Sequence, residues 1–266
     1  MLEHPLTSEE RRAKYSVPAV EKALDVIEYL SDQAVPMPQA QIARALGRNA
    51  GEIFRMLTCL ESRGYLLRDP GSGGYALTLK LFELSRIHSP YEVLLRAALP
   101  HMRVLAETVR QSCHLSVLHH DQVLVLAQEE SPRPFRLSVE VGSQHSPLRT
   151  TSGRVLLAAL DAAERDAVLE GHPGWRKTKR DAKIALLARL QAIHDRGFER
   201  QDGERFVGGL DLGVLVGSPG SAVKAALTVA ALKEHDGPDL DVMLPHLKRC
   251  AAAIAGDAGL GRDSQT

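Results

Sequence analysis

A chain of 266 residues has room for two domains of ordinary size, and a hydrophobic content of 44% supplies packed cores. Lys plus Arg and Asp plus Glu are equal at 33 each, so no global basic field advertises nucleic acid. No apolar run approaches the ~18 residues that cross a bilayer and no signal-peptide core opens the chain, which reads against a membrane partner and for a cytoplasmic location.

Residues 1–15 are charged, lack an apolar stripe and read as a mobile arm. Val20, Leu24, Ile27 and Leu30 recur at helical spacing and predict the first core helix. A short helix follows over Gln39 to Leu46, with Ala40, Ile42, Ala43 and Leu46 apolar. Gly47 ends it as a residue free to take positive φ. Asn49 with Glu52 three residues on is the asparagine analogue of a capping box, and opens a second helix. That helix buries Ile53, Met56, Leu57 and Leu60 and turns Glu52, Arg55, Thr58 and Ser62 outward. Tyr65 to Arg68 and Tyr75 to Leu77 read as strands joined by the glycine-rich turn Pro70 to Gly74. Helix, turn, helix and hairpin make a winged helix-turn-helix, whose second helix fits the DNA major groove. Residues 11–80 carry ten Lys/Arg against seven Asp/Glu, a local excess that a dimer would double.

Lys80 to Gln111 is helical with a break near Ser89-Pro90, because Pro90 lacks a backbone donor. Leu79, Leu81, Phe82 and Leu84 are too apolar for a solvated linker; packing on a second subunit and packing within one chain are both open. A second domain starts near Tyr91. Cys113 to Leu118 and Gln122 to Ala127 predict a hairpin across the turn His119-His120-Asp121, and Phe135 to Val139 a third strand. Thr150 or Thr151 caps a helix from Gly153 to Leu160, and Asp161 with Glu164 caps the next. Asp181 to Arg196 is a helix stopped at Gly197. Leu210 to Val216 and Val223 to Val229 are strands, and Leu240 to Ala255 is the terminal helix before a tail over 257–266. The order predicts an α+β fold with a mainly antiparallel sheet.

Enzyme motifs are missing. There is no G-x-S-x-G elbow, no G-x-x-x-x-G-K-[ST] loop and no H-E-x-x-H. Adjacent His119 and His120 diverge in a turn and make a poor metal site with His114. Cys59, Cys113 and Cys250 are isolated, with no C-x-x-C for zinc or redox work, and no cofactor is expected. Arg149, beside a capped helix start, has the chemistry to clamp a carboxylate.

The segments Val20 to Ile27, Ile42 to Gly47 and Leu60 to Leu66, then Glu130 to Pro134 and Thr151 to Ala158, resemble in this order the IclR family of bacterial transcriptional regulators. The resemblance runs from about Val17 to Ala255. It implies a winged helix-turn-helix domain over 16–80, a linker helix over 81–90 that joins a dimer, and a GAF-like effector-binding domain over 91–256. It also implies three partners: operator double-stranded DNA, a small-molecule effector, and a homodimer or homotetramer. The expected DNA-contacting residues are Arg44, Arg48, Asn49, Ala50, Glu52, Arg55, Arg68 and Ser72. Asn49, Ala50, Gly51 and Glu52 depart from the family's usual Pro or Lys, then Ser and Thr, so base readout should differ from that of relatives.

For the effector, the resemblance implicates Arg149, Thr151, Ser152, Gly153, Gln201, Asp211 and Thr228. Gln201 stands where an acidic residue is common, Asp211 where a cysteine is, and Thr228 where a serine is. Asp211 would repel an anion, so hydroxyl-rich groups are expected at that end. A carboxylate is expected at the other, on Arg149 or on the helix N-terminus at Gly153. The function implied is a ligand-responsive regulator of a catabolic operon, with a small organic acid or sugar acid as effector. A hydrolase on the same scaffold and a winged helix used for protein contact are the alternatives.

Overall fold

The computed structural model describes residues 16–87, 90–204, 206–221, 223–233, 237 and 239–260. The expected arm, Ser89 and the last six residues of the expected tail lie outside the described residues. The chain divides into two compact units, Met1–Ser89 and Pro90–Thr266.

The first unit holds helices α1 (Pro18–Ser31), α2 (Gln39–Ala45) and α3 (Ala50–Ser62), strands β1 (Leu66–Arg68) and β2 (Tyr75–Leu77), and α4 (Lys80–Ile87). Its core is Val26, Leu30, Ile42, Ile53, Leu57, Leu60, Leu66 and Tyr75. The face of α1 differs from the expected one. Val20 and Leu24 are 55% and 49% exposed, while Val26 is fully buried. Apolar residues cover more than one side of α1, and tertiary packing selects Ala23, Val26, Ile27 and Leu30. Asn49 caps α3, its Oδ1 accepting from the Glu52 amide at 2.8 Å. The reciprocal half of the capping box is missing, because the Glu52 carboxylate turns to Lys22 on α1 at 3.3 Å instead of facing outward unpaired. Gln39 Nε2 donates to the Ala50 carbonyl at 2.9 Å and ties the start of α2 to the start of α3. The hairpin pairs Leu66 with Leu77 and Arg68 with Tyr75.

The second unit is a six-stranded antiparallel sheet between helices. Its strands are β3 (Ser112–His119), β4 (Gln122–Glu129), β5 (Gln144–His145), β6 (Glu199–Asp202), β7 (Gly209–Val216) and β8 (Ala225–Leu232), in spatial order β5-β4-β3-β8-β7-β6. On one face lie α5 (Pro90–Val109) and α10 (Leu240–Asp257). Their Leu94, Ala98, Met102, Leu247, Ala251 and Ile254 bury Cys113, Leu115, Leu212, Leu227 and Val229. Over the other face lies α6 (Thr151–Ala158), followed by α7 (Ala162–Gly171), α8 (Pro173–Lys177) and α9 (Arg180–Arg196). The strand period of two therefore splits β3, with Cys113, Leu115 and Val117 in the α5–α10 core and His114 and Ser116 on the α6 side.

Thr150 caps α6, accepting from the Gly153 amide at 3.1 Å, and Asp161 with Glu164 completes a capping box on α7. The third strand expected over Phe135 to Val139 does not form. The Val139 amide donates to the side-chain Oε1 of Gln128, and Gln128 Nε2 donates to Ser138 Oγ, so side-chain bonds replace a ladder. The strand beside β4 is instead β5, pairing Val123 with His145.

Candidate functional site

The gap between the α6 N-terminus and the sheet encloses a cavity of about 80 Å3. Its floor is two rows across the strands. One row sets His114 beside Thr228 and Thr228 beside Gly213; the next sets Ala230 beside Asp211 and Asp211 beside Gln201. Gly213 lets α6 approach, since a Cβ there would stand 2.8 Å from Thr151 Cγ2 and 3.2 Å from Thr228 Oγ1. Thr151, Ser152, Gln201, Asp211 and Thr228 all line the space, with His114, His145, Glu204 and Phe206. Thr228 is 1% exposed and its hydroxyl has no hydrogen-bond partner among the described residues. A buried hydroxyl left unsatisfied at a cavity wall is a place for a ligand or a water.

Two residues expected at this cavity are placed elsewhere. Arg149 does not line it; its side chain lines two neighbouring cavities. Gly153 does not line it either. Its amide is taken by Thr150, and its Cα packs on Pro147, where a Cβ would come within 2.4 Å of the Pro147 Cα. The open amides of α6 are those of Thr151 and Ser152, one and two residues earlier than expected, because the first turn of a helix has no internal acceptors.

An ionic cluster fixes the rim. Glu199, fully buried on β6, meets Arg154 at 3.4 Å, Arg189 at 2.5 Å and Arg196. Glu204 takes Arg154 at 2.8 Å and Arg189 at 2.8 Å. Burial alone would raise the Glu204 carboxyl, but the hydrogen bonds from Arg189 and Arg154 outweigh it and hold it at about 2, below the ordinary 4.5. Its contribution to stability is thus complete above 4.5 and lost only as the pH falls through about 2. Gln201 Nε2 donates to Glu204 at 3.1 Å and to the Arg149 carbonyl at 3.2 Å. Those bonds leave Gln201 Oε1 to accept from Thr151 Oγ1 at 2.8 Å. The cluster therefore holds Gln201 and Thr151 in fixed orientations at the cavity wall.

Two Ser–His pairs bear on the hydrolase alternative. His172 Nε2 lies 3.0 Å from Ser146 Oγ, but His172 Nδ1 accepts from the Gly174 amide at 3.0 Å. A neutral His172 is therefore protonated at Nε2 and donates to Ser146, so it cannot take the serine proton. Ser143 Oγ lies 2.9 Å from His145 Nε2 and gives its own proton to the Glu140 carbonyl. Neither serine is set up as a nucleophile.

On the first unit, Arg44 and Arg55 are exposed, Arg55 in the second turn of α3. Other expected contacts are already engaged within the unit. Arg48 reaches Asp25 at 3.4 Å, Glu52 holds Lys22, and the Asn49 oxygen is the cap. Ala50 is exposed at the start of α3. Arg68 Nε donates to the Gly73 carbonyl at 3.2 Å, and its guanidinium lies 5.7 Å from the Tyr75 ring centroid. Ser72 donates to Asp69 Oδ1 through its amide and its hydroxyl, which keeps the Asp69 carboxyl below its usual range and stiffens the hairpin tip.

Residues 19–70 match the IclR helix-turn-helix domain, and residues 91–256 match the domain described as bacterial transcriptional regulator IclR C-terminal. The glycerol operon regulatory protein of Streptomyces griseus is 26% identical, over 93% of this chain and 98% of its own length. The HTH-type transcriptional regulator KdgR of Escherichia coli is 27% identical, over 71% of this chain and 73% of its own. An IclR homolog from Microbacterium hydrocarbonoxydans, solved in complex with 4-hydroxybenzoate, has a TM-score of 0.74 at 24% identity and covers 91% of this chain and 99% of its own. Pseudomonas aeruginosa HmgR has a TM-score of 0.71 at 22% identity, covering 92% and 100%. No described helix is long and apolar enough to cross a membrane. With both domains matched in order, the chain belongs to the IclR family of bacterial transcriptional regulators.

Proposed function

We propose that this regulator answers a short, hydroxylated organic acid held in the cavity beneath α6. The observation that carries the reading is the unsatisfied hydroxyl of Thr228 at a cavity that Asp211 and the first two residues of α6, Thr151 and Ser152, also line. The amides of Thr151 and Ser152 suit a carboxylate, through their donors and the positive end of the helix. Asp211 and Thr228 suit hydroxyls at the far end, since a second anion beside Asp211 would be repelled. A cavity of about 80 Å3, small against the ~300–1,000 Å3 of ordinary ligand pockets, favours acids of about three or four carbons over longer sugar acids. The likeness to a glycerol operon regulatory protein supports an operon as the target of control.

Calorimetry with glycerate and threonate tests this. Saturable binding to the wild type should weaken about tenfold or more in Asp211→Ala, the worth of a hydrogen bond to a charged group. Operator binding in a band shift should persist in that variant while its response to the acid is lost. Equal affinity of the two proteins removes Asp211 from the site.

DNA reading is assigned to the exposed side of α3 and to the hairpin, with Arg44 and Arg55 as the available cations. Assembly is assigned to α4, where Leu81, Phe82 and Leu84 are 38%, 56% and 47% exposed, a costly face for a lone helix in water. Leu81→Glu combined with Phe82→Glu should sediment as a monomer and bind its operator poorly, because half-sites are read by paired heads. A wild type that sediments as a monomer at micromolar concentration rules the seam out.

A further inference from the structure

The second unit holds a larger space that the proposed effector reading does not use. This outer cavity measures about 640 Å3, within the ~300–1,000 Å3 typical of ligand pockets. One stripe of α9, formed by Ala182, Ala185, Leu186 and Arg189, makes one wall at helical spacing. Trp175 and Leu148 make apolar surface opposite. The two alanines keep this wall low, and Lys183, also on α9, holds its ammonium 4.8 Å from the Trp175 ring centroid.

The polar groups of this space are donors. Arg149, Arg154 and Arg189 line it, and no Asp or Glu among the described residues does. Arg154 and Arg189 are neutralised from behind by Glu199 and Glu204. Arg149 has no carboxylate partner among the described residues. Ser146 is the second donor. His172, 6% exposed, has Nδ1 occupied by the Gly174 amide, so its Nε2 proton goes to Ser146 Oγ. With its oxygen accepting from the imidazole, the Ser146 hydroxyl proton is left to point elsewhere. A guanidinium and an oriented hydroxyl beside a tryptophan match an anion with a flat apolar body.

We propose that the outer cavity is a second ligand site, for an aromatic carboxylate. The carboxylate lies on Arg149 and the Ser146 hydroxyl, and the ring lies against Trp175 and Leu148. The two cavities have no lining residue in common, but a hydrogen bond joins them. The backbone carbonyl of Arg149 accepts from Gln201, and Gln201 lines the inner cavity. Occupation of the outer site therefore acts on the segment that orients Gln201 and Thr151.

Trp175 is the chain's one tryptophan, so its emission reports this cavity in the full-length protein. The probe is 3-phenylpropionate, compared with its neutral amide. The acid should change the emission saturably, and the amide should bind about tenfold more weakly or worse, for want of charge-assisted hydrogen bonds. Arg149→Gln should lower affinity for the acid by a similar factor while the amide is unaffected. Arg149 is exposed, so this variant should fold as the wild type does. Asp211→Ala should bind the acid like the wild type, which separates this site from the inner one. No saturable change up to about 10 mM, a scale at which binding is weaker than about −3 kcal/mol, overturns the site. So does equal binding of acid and amide, or an unchanged affinity in Arg149→Gln. Loss of the signal in Asp211→Ala with retention in Arg149→Gln places the probe in the inner cavity and overturns it too.

Discussion

Glu199→Gln should destabilise the second unit by about 3 kcal/mol. Removing one partner of a buried ion pair costs about 3–5 kcal/mol, because the charge left behind stays out of water without compensation. Three arginines meet Glu199, and they differ in what they can do without it. The side chains of Arg189 and Arg196 are 31% and 37% exposed, so both can recover hydration. The Arg154 side chain is 11% exposed and keeps only Glu204 at 2.8 Å and the Leu148 carbonyl at 3.3 Å. The low end of the range follows from that division. Urea unfolding followed by Trp175 emission reads this unit alone, since the first unit has no tryptophan. With a slope of about 1–3 kcal/mol per molar, the midpoint should fall by about 1–3 M. Arg196→Ala is the control. It removes the most exposed partner and should cost about 1 kcal/mol or less. A Glu199→Gln change that is no larger than the Arg196→Ala change would show that the cluster contributes no more than a surface pair.

The same residue explains what the sequence hid. β6 reads Glu-Arg-Gln-Asp, which no hydrophobic pattern marks as a strand, yet Glu199 and Gln201 are buried in strict alternation. Arginines from α6 and α9 satisfy Glu199, and Thr151, Glu204 and the Arg149 carbonyl satisfy Gln201, where apolar neighbours would do so in an ordinary strand; Arg154, 45 positions from Glu199, leaves no local trace. Elements with caps and a clear period were legible. Asn49, Thr150 and Asp161 each open a helix by the hydrogen bond their side chains predict. Val20 and Leu24 misled, because an apolar residue on a helix does not say which face the rest of the fold will cover. At the cavity, Thr151, Ser152, Gln201, Asp211 and Thr228 come together, as the family likeness implied for residues far apart in the chain. Arg149 and Gly153 do not, since a difference of one residue at a helix start decides which amides and side chains face inward. His114 was visible in principle. It is the one ionisable side chain in the buried run Ser112 to Val117 of β3 apart from the Cys113 thiol, and its row partner is Thr228.

Arg55→Ala should weaken specific operator binding by about 1–3 kcal/mol, the worth of a bidentate arginine–guanine contact. The first unit singles Arg55 out by what it does to the alternatives. Glu52 is held by Lys22, Arg48 by Asp25, and Arg68 by the Gly73 carbonyl, so these side chains must break bonds before they reach DNA. Arg55 projects from α3 off the stripe of Ile53, Leu57 and Leu60 that packs the core, and its neighbour Phe54 is 51% exposed. A helix that shows an arginine and a phenylalanine to solvent while burying the opposite side has the form of a groove reader. Two outcomes separate base reading from phosphate contact. A base contact makes the loss specific: affinity falls on the operator and hardly on random DNA, with the salt dependence unchanged. A phosphate contact lowers both alike and reduces the slope of log K against log salt by about 0.9, one counterion's share. Competition binding at several salt concentrations, wild type against Arg55→Ala, reads both quantities at once. Operator affinity and salt slope that both match the wild type would take Arg55 off the DNA and leave Arg44 as the remaining exposed cation among the expected contacts that the fold does not already engage.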